Sequence, residues 1–147
     1  MSIQIIKAVK QLTLISLAAF LLACQSKPEP INFGEDHCDF CKMSIVDPKY
    51  GAELVTDKGR LYKFDAVECM IPFMQENEEM TFEHQLVIAF DQAGELLPKD
   101  QVVFAHSKVY QSPMGANVAA FSDKSKVDPS AEIMDWEKLV EKRSKAQ

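Results

Sequence analysis

The chain lacks an apolar run long enough to cross a bilayer. The candidate, Leu12 to Leu22, is interrupted by Thr13 and Ser16 and falls short of the roughly 20 residues that a spanning helix needs. Basic residues are in the minority, 16 Lys and Arg against 22 Asp and Glu. That balance argues against nucleic acid, because phosphate neutralisation needs clustered cations. Glycine is scarce, with five residues, and none forms a phosphate-cradling loop. No Ser/His/Asp arrangement for nucleophilic catalysis occurs, and Asp65 and Glu68 read as helix caps rather than as an acid–base pair. The three histidines include no His-x-x-x-His spacing. No low-complexity repeat is present. With no catalytic constellation in view, no enzymatic activity is expected.

What is there begins at the N-terminus. Lys7 and Lys10, the short apolar core and Ala23 describe a cleaved secretory signal over residues 1–23. Leu21-Leu22-Ala23-Cys24 has the form of a bacterial lipobox, in which the cysteine receives diacylglycerol and becomes the new N-terminus. An uncleaved anchor with an incidental cysteine is the plainer alternative. Two or three acyl chains would anchor stably where a single chain is marginal. Gln25, in place of Asp, favours the outer membrane under enterobacterial-type sorting. The expected location is therefore the periplasmic side of a bacterial membrane, lipid-anchored. Removing the leader takes away two lysines and no acid, moving the formal charge from −6 to near −8. Such a body suits a protein that attracts cations.

Residues 24–36, with Pro28, Pro30 and Gly34 and no apolar period, read as a tether, and residues 37–147 as the folded domain, divided near 37–95 and 96–147. Gly51 to Thr56 and Arg60 to Phe64 are strand-like runs around an Asp57-Lys58-Gly59 turn. Asp65, with Glu68 three residues later, predicts a capped helix that Pro72 should kink or end. Gln85 to Phe90, Val102 to His106 and Asn117 to Phe121 read as further strands, with Tyr110 to Gly115 as the loop between the last two. Asp128-Pro129 predicts the start of a terminal helix whose apolar face carries Ile133, Trp136, Leu139 and Val140. The expected class is α+β, two similar ββα-type units with antiparallel hairpins and one helix each.

The cysteine count points to chemistry. Four are present; with Cys24 lipidated, Cys38, Cys41 and Cys69 remain, an odd number for an oxidising compartment. Cys38-Asp-Phe-Cys41-Lys-Met43 sets two thiols and a thioether close together, and such soft donors select Cu(I). Met43 would point to the same side as Cys41 in an extended segment, where side chains repeat every second residue. Met114, in Ser112-Pro113-Met114-Gly115, lies in a loop and could either close the site or pack on the hairpin. Other readings stay open. The Cys pair could serve thiol–disulfide exchange or form a resting disulfide. Structural zinc could recruit His37 and His106. Cys69, on an apolar helix face, reads more readily as core than as ligand; His37 could ligate or orient, and His84 and His106 read as ordinary.

Leu-Leu-Ala-Cys24, Cys38-Asp-Phe-Cys41-Lys-Met43-Ser-Ile, Gly59-Arg-Leu-Tyr-Lys-Phe-Asp65-Ala-Val-Glu-Cys69-Met70 and Ser112-Pro-Met114-Gly115-Ala-Asn-Val-Ala-Ala-Phe121 follow one another across nearly all of the mature chain. In these segments the sequence resembles the NosL family, lipoprotein accessory factors for the maturation of nitrous oxide reductase. The resemblance implies a periplasm-facing chaperone that binds Cu(I) and passes it towards the copper centres of that reductase, in association with a membrane ABC-type maturation complex. It also implies a fold of two ββαβ units, similar to part of organomercurial lyase, and ligation by Cys41, Met43 and Met114, with Cys38 as a further ligand. The competing function is a membrane-anchored thiol–disulfide oxidoreductase using Cys38 and Cys41.

Overall fold

Two antiparallel sheets and two helices make up the computed structural model, which describes residues 27–145. The expected leader and the lipid acceptor Cys24 lie outside the described residues. Among those described, no helix is long and apolar enough to cross a membrane.

The predicted hairpin forms β1 (Ala52–Thr56) and β2 (Leu61–Phe64), in register from Ala52 opposite Phe64 to Val55 opposite Leu61. The reversal is closed by Gly59, at φ +90°, whose N–H donates to Thr56 O at 3.0 Å. Helix α1 (Val67–Glu76) follows and continues past Pro72. Its N-cap is Ala66, in extended backbone, and no side chain caps it. Asp65 therefore does not make the expected cap: it is buried, with one carboxylate oxygen lacking a partner. Strand β3 (Phe82–Ile88) returns on the other side of β1, and the short β4 (Leu96–Pro98), unforeseen because it is only three residues long, completes the order β2-β1-β3-β4.

The second sheet has β5 (Val103–His106) at its centre, flanked by β6 (Val118–Phe121) and β7 (Glu132–Met134), with α2 (Trp136–Ser144) last. Asp128 does not start this helix. Its carboxylate takes the Ser130 N–H at 2.8 Å and closes a turn, after which Ile133 pairs with Ala105 in the sheet instead of lining the helix face. The true cap is Asp135, whose side chain accepts from Lys138 N at 2.9 Å. The class is α+β as expected, with one helix per antiparallel sheet. The chain orders of the two units differ, since the third strand of the second unit comes before its helix.

A parallel bridge between Ala89 and Ala120, with Phe90 N donating to Ala120 O at 2.7 Å, joins the sheets. Strand β6 consequently lies between two apolar clusters and serves both by its two-residue alternation. Val118 and Ala120 join Phe64, Met70, Phe104 and Leu139, while Ala119 and Phe121 join Tyr50 and Tyr110.

The expected tether is docked from Glu29 onward. Glu29 N–H donates to Glu53 Oε1 at 3.1 Å, Lys63 Nζ reaches Pro30 O at 2.9 Å and Asp36 Oδ2 at 2.7 Å, and Ile31 is buried. An apolar Ile31 seated on the sheet offsets the ordering of this short strap, which its proline content alone did not reveal. Beneath it Glu53 is fully buried, and its second oxygen has no partner. Burial raises the Glu53 carboxyl to about 7 from an ordinary 4.5. The folded state thus holds this proton more tightly than the unfolded chain, so the associated stability is complete below the ordinary value and is lost as pH rises through about 7. The urea midpoint should fall between about pH 5 and about pH 8. Glu53→Gln should flatten that slope and add about 1–3 kcal/mol at the upper end; parallel slopes for the two proteins would exclude Glu53 as the cause.

Candidate metal centre

The segment carrying the Cys pair is a tight reversal. His37 and Ser44 form an antiparallel bridge, Cys38 N donates to Met43 O at 2.8 Å, and Lys42 N donates to Cys38 O at 3.0 Å. Lys42 sits at φ +65°, a left-handed conformation that completes the turn. The chain here is not extended, so the alternation expected to aim Met43 alongside Cys41 does not apply. Two bonds fasten the reversal to β2: Asp39 N donates to Lys63 O, and Lys63 N to Asp39 Oδ2, each at 2.8 Å.

Fastened in this way, the reversal delivers Cys38 to the first turn of α1, where Cys69 stands. The Cys38, Cys41 and Cys69 sulfurs all lie within 4.8 Å of one another. Cys38 and Cys69 are buried and Cys41 is half-buried, and none of the three is joined in a disulfide. Three sulfurs at this separation can close on one soft ion. No histidine or carboxylate of the described residues joins the group. His37 faces Ser44, its Nε2 3.5 Å from the hydroxyl, and His106 Nδ1 is 3.3 Å from Lys142 Nζ.

The thiols are not equivalent. A hydrogen bond from the Cys69 thiol, against the opposing effect of burial and with help from the backbone of Asp65, Cys41 and Phe40, lowers the Cys38 thiol to about 5. Cys41 N lies 3.5 Å from the Cys38 sulfur. Cys69, as the donor in that pair, is pushed strongly up, and burial adds to the effect. Cys41 is raised by burial and by the neighbouring Cys38 thiolate. Of the three, Cys38 is the thiol that ionises most readily, while Cys41 and Cys69 hold their protons more tightly.

Met43 and Met114, 56% and 42% exposed, are among the few large apolar side chains left at the surface. Neither serves as core. Met114 occupies a turn closed by Gly115 N donating to Ser112 O at 2.9 Å. Glu68, read as a cap from sequence, instead accepts from the Ser112 hydroxyl, from Ala116 N at 3.3 Å and from Val118 N at 3.4 Å, all in or beside that turn. Cys69 is buried in the core, as its place on an apolar helix face leads one to expect, and its sulfur also joins the group. The signal available for it was the odd thiol left over from the Cys pair.

No protein-family model and no curated protein matches the sequence. Among solved structures, the chain is similar to the copper chaperone NosL from Shewanella denitrificans, with a TM-score of 0.65 at 16% identity, over 78% of this chain and 96% of that one. The fold of the chain is NosL-like.

Proposed function

We propose that this protein is a Cu(I) chaperone, not an enzyme, held by a lipid on Cys24 at the periplasmic side of a bacterial membrane, the outer one on the reading of Gln25. Its cargo would pass to the copper centres of nitrous oxide reductase, with a membrane ABC-type maturation complex as partner. The observation that carries the reading is the three-sulfur cluster, buried on two sides and open at Cys41. The similarity in fold to a copper chaperone supports it. Thiolate donors match a soft monovalent ion, and Cys38 is the thiol that gives up its proton most readily. Met43 and Met114, both exposed, would supply further neutral thioethers to the ion. These would ligate across the pH range and could take the ion while an incoming acceptor adds its own donor.

Thiol–disulfide exchange fits the same residues less well. The most readily ionised sulfur, Cys38, is fully buried, whereas the thiol of the reachable Cys41 is raised, the reverse of an attacking thiolate's needs. Structural zinc would need a fourth ligand that the cluster does not hold.

Competitive Cu(I) titration of the reduced protein tests the reading. Met43→Leu and Met114→Leu should each weaken binding by about tenfold, a modest loss in keeping with the 10–100-fold effects of supporting groups at metal sites. The thiol–disulfide reactivity of both variants should be unchanged. Equal Cu(I) affinities for wild type and both variants would remove the thioethers from the site.

A further inference from the structure

A buried carboxylate with no cation beside it needs a reason, and Glu68 is one. It is 3% exposed and sits in the first turn of α1, where a carboxylate ordinarily serves the helix's own N–H groups. Here α1 has no side-chain cap. Both Glu68 oxygens are instead turned to the segment 112–118. Oε1 accepts from the Ser112 hydroxyl and Val118 N, and Oε2 from Ala116 N. Ser112 is buried, and its hydroxyl oxygen also accepts from Asn117 N at 2.8 Å, while Asn117 is at φ +59°. The turn that lifts Met114 to the surface is therefore fastened on both sides of the methionine to the residue that directly precedes Cys69. All three donors need an acceptor, which a carboxylate provides at both oxygens and an amide at only one.

We propose that Glu68 is a positioning residue: it fixes the Met114 loop to the Cys69 turn of α1 and so sets where the thioether stands relative to the sulfur cluster. This rests on the copper reading above and deepens it. Through Glu68, the Met114 loop and the Cys69 turn, far apart in sequence, are held by one side chain. Glu68→Gln keeps the size of the side chain but places an N–H₂ against one of the donors. It should release the loop while leaving the cysteine cluster in place.

The experiment is a double-mutant cycle on Cu(I) affinity, measured by competition with a chromophoric chelator on the full-length reduced protein. Met114→Leu and Glu68→Gln should each lower affinity by about tenfold, and the double variant should be no weaker than either alone. Glu68→Gln combined with Cys41→Ser should instead show the product of the two single losses. Ser112→Ala, which removes only one hydroxyl, should give a smaller loss with the same dependence on Met114, and covers the case in which Glu68→Gln does not fold. X-ray absorption at the copper edge adds a readout that general destabilisation does not move: the number of sulfur neighbours should drop in Glu68→Gln as it does in Met114→Leu. Additive losses in the first pair, or an unaffected Glu68→Gln beside a weakened Met114→Leu, would overturn the proposal. A wild-type affinity untouched by Met114→Leu would instead overturn the thioether's part in the copper site, and this inference with it.

Discussion

Cys38→Ser is expected to lower Cu(I) affinity by more than about 10²-fold, since changes to groups that merely support a metal ligand already cost about 10–100-fold. Cys38 is the member of the cluster that ionises most readily, its thiol lowered to about 5 by the Cys69 hydrogen bond and the surrounding backbone against the effect of burial. Without Cys38 the cluster keeps only two of its three sulfurs and loses the one that ionises most readily, so fewer donors remain and binding must release more protons. Serine is close in size to cysteine and should leave the packing around the site intact. The thiolate's ultraviolet absorbance should vanish in the variant, and thermal unfolding should show that the domain is still folded. A Cys38→Ser protein that folds and still competes for Cu(I) like the wild type would mean the ion is held elsewhere.

Gly51→Ala should cost about 2–6 kcal/mol. Gly51 is at φ +130°, where an L side chain is strained by about 1–3 kcal/mol. A Cβ there would come within 2.9 Å of both Ile31 Cδ1 and Ile88 Cδ1, and overpacking of that kind adds about 1–3 kcal/mol. The least expensive escape is for Ile31 to lift, which undocks the strap that covers Glu53. The variant should therefore show a lowered urea midpoint together with faster proteolysis near residue 31. If the midpoint fell with no change in cleavage there, the strain would be absorbed at Ile88 instead.

How much of this was legible in the sequence depended on whether the determining interactions were local. The β1–β2 hairpin was, because the Asp57-Lys58-Gly59 turn and the strands beside it carry their own signal. Asp128-Pro129 misled because an Asp-Pro pair suits a turn as well as a helix start. The pairing of Ile133 with Ala105, which decides between them, spans the second sheet. Glu68 misled for the same reason: its capping-box spacing from Asp65 is local, whereas its partners lie about 44 to 50 residues away. The nearness of Cys38 to Cys41 is local and legible from spacing. The approach of the Cys69 sulfur to theirs is not, because it depends on Asp39 and Lys63 fastening the reversal to β2. Proline-bearing residues 29–36 read as tether since nothing in their own pattern announces that Ile31 finds a pocket beside Gly51.

That docking has a bearing on how the domain would stand if Cys24 carries a lipid. From residue 24 to the first fixed point at Glu29, a fully stretched backbone reaches only about 17 Å. A leash that short would keep the docked strap, and the part of the sheet at Glu53 and Lys63 that it contacts, close to the headgroups. The molecule would then present one side to the bilayer and restrict the directions from which an acceptor could approach.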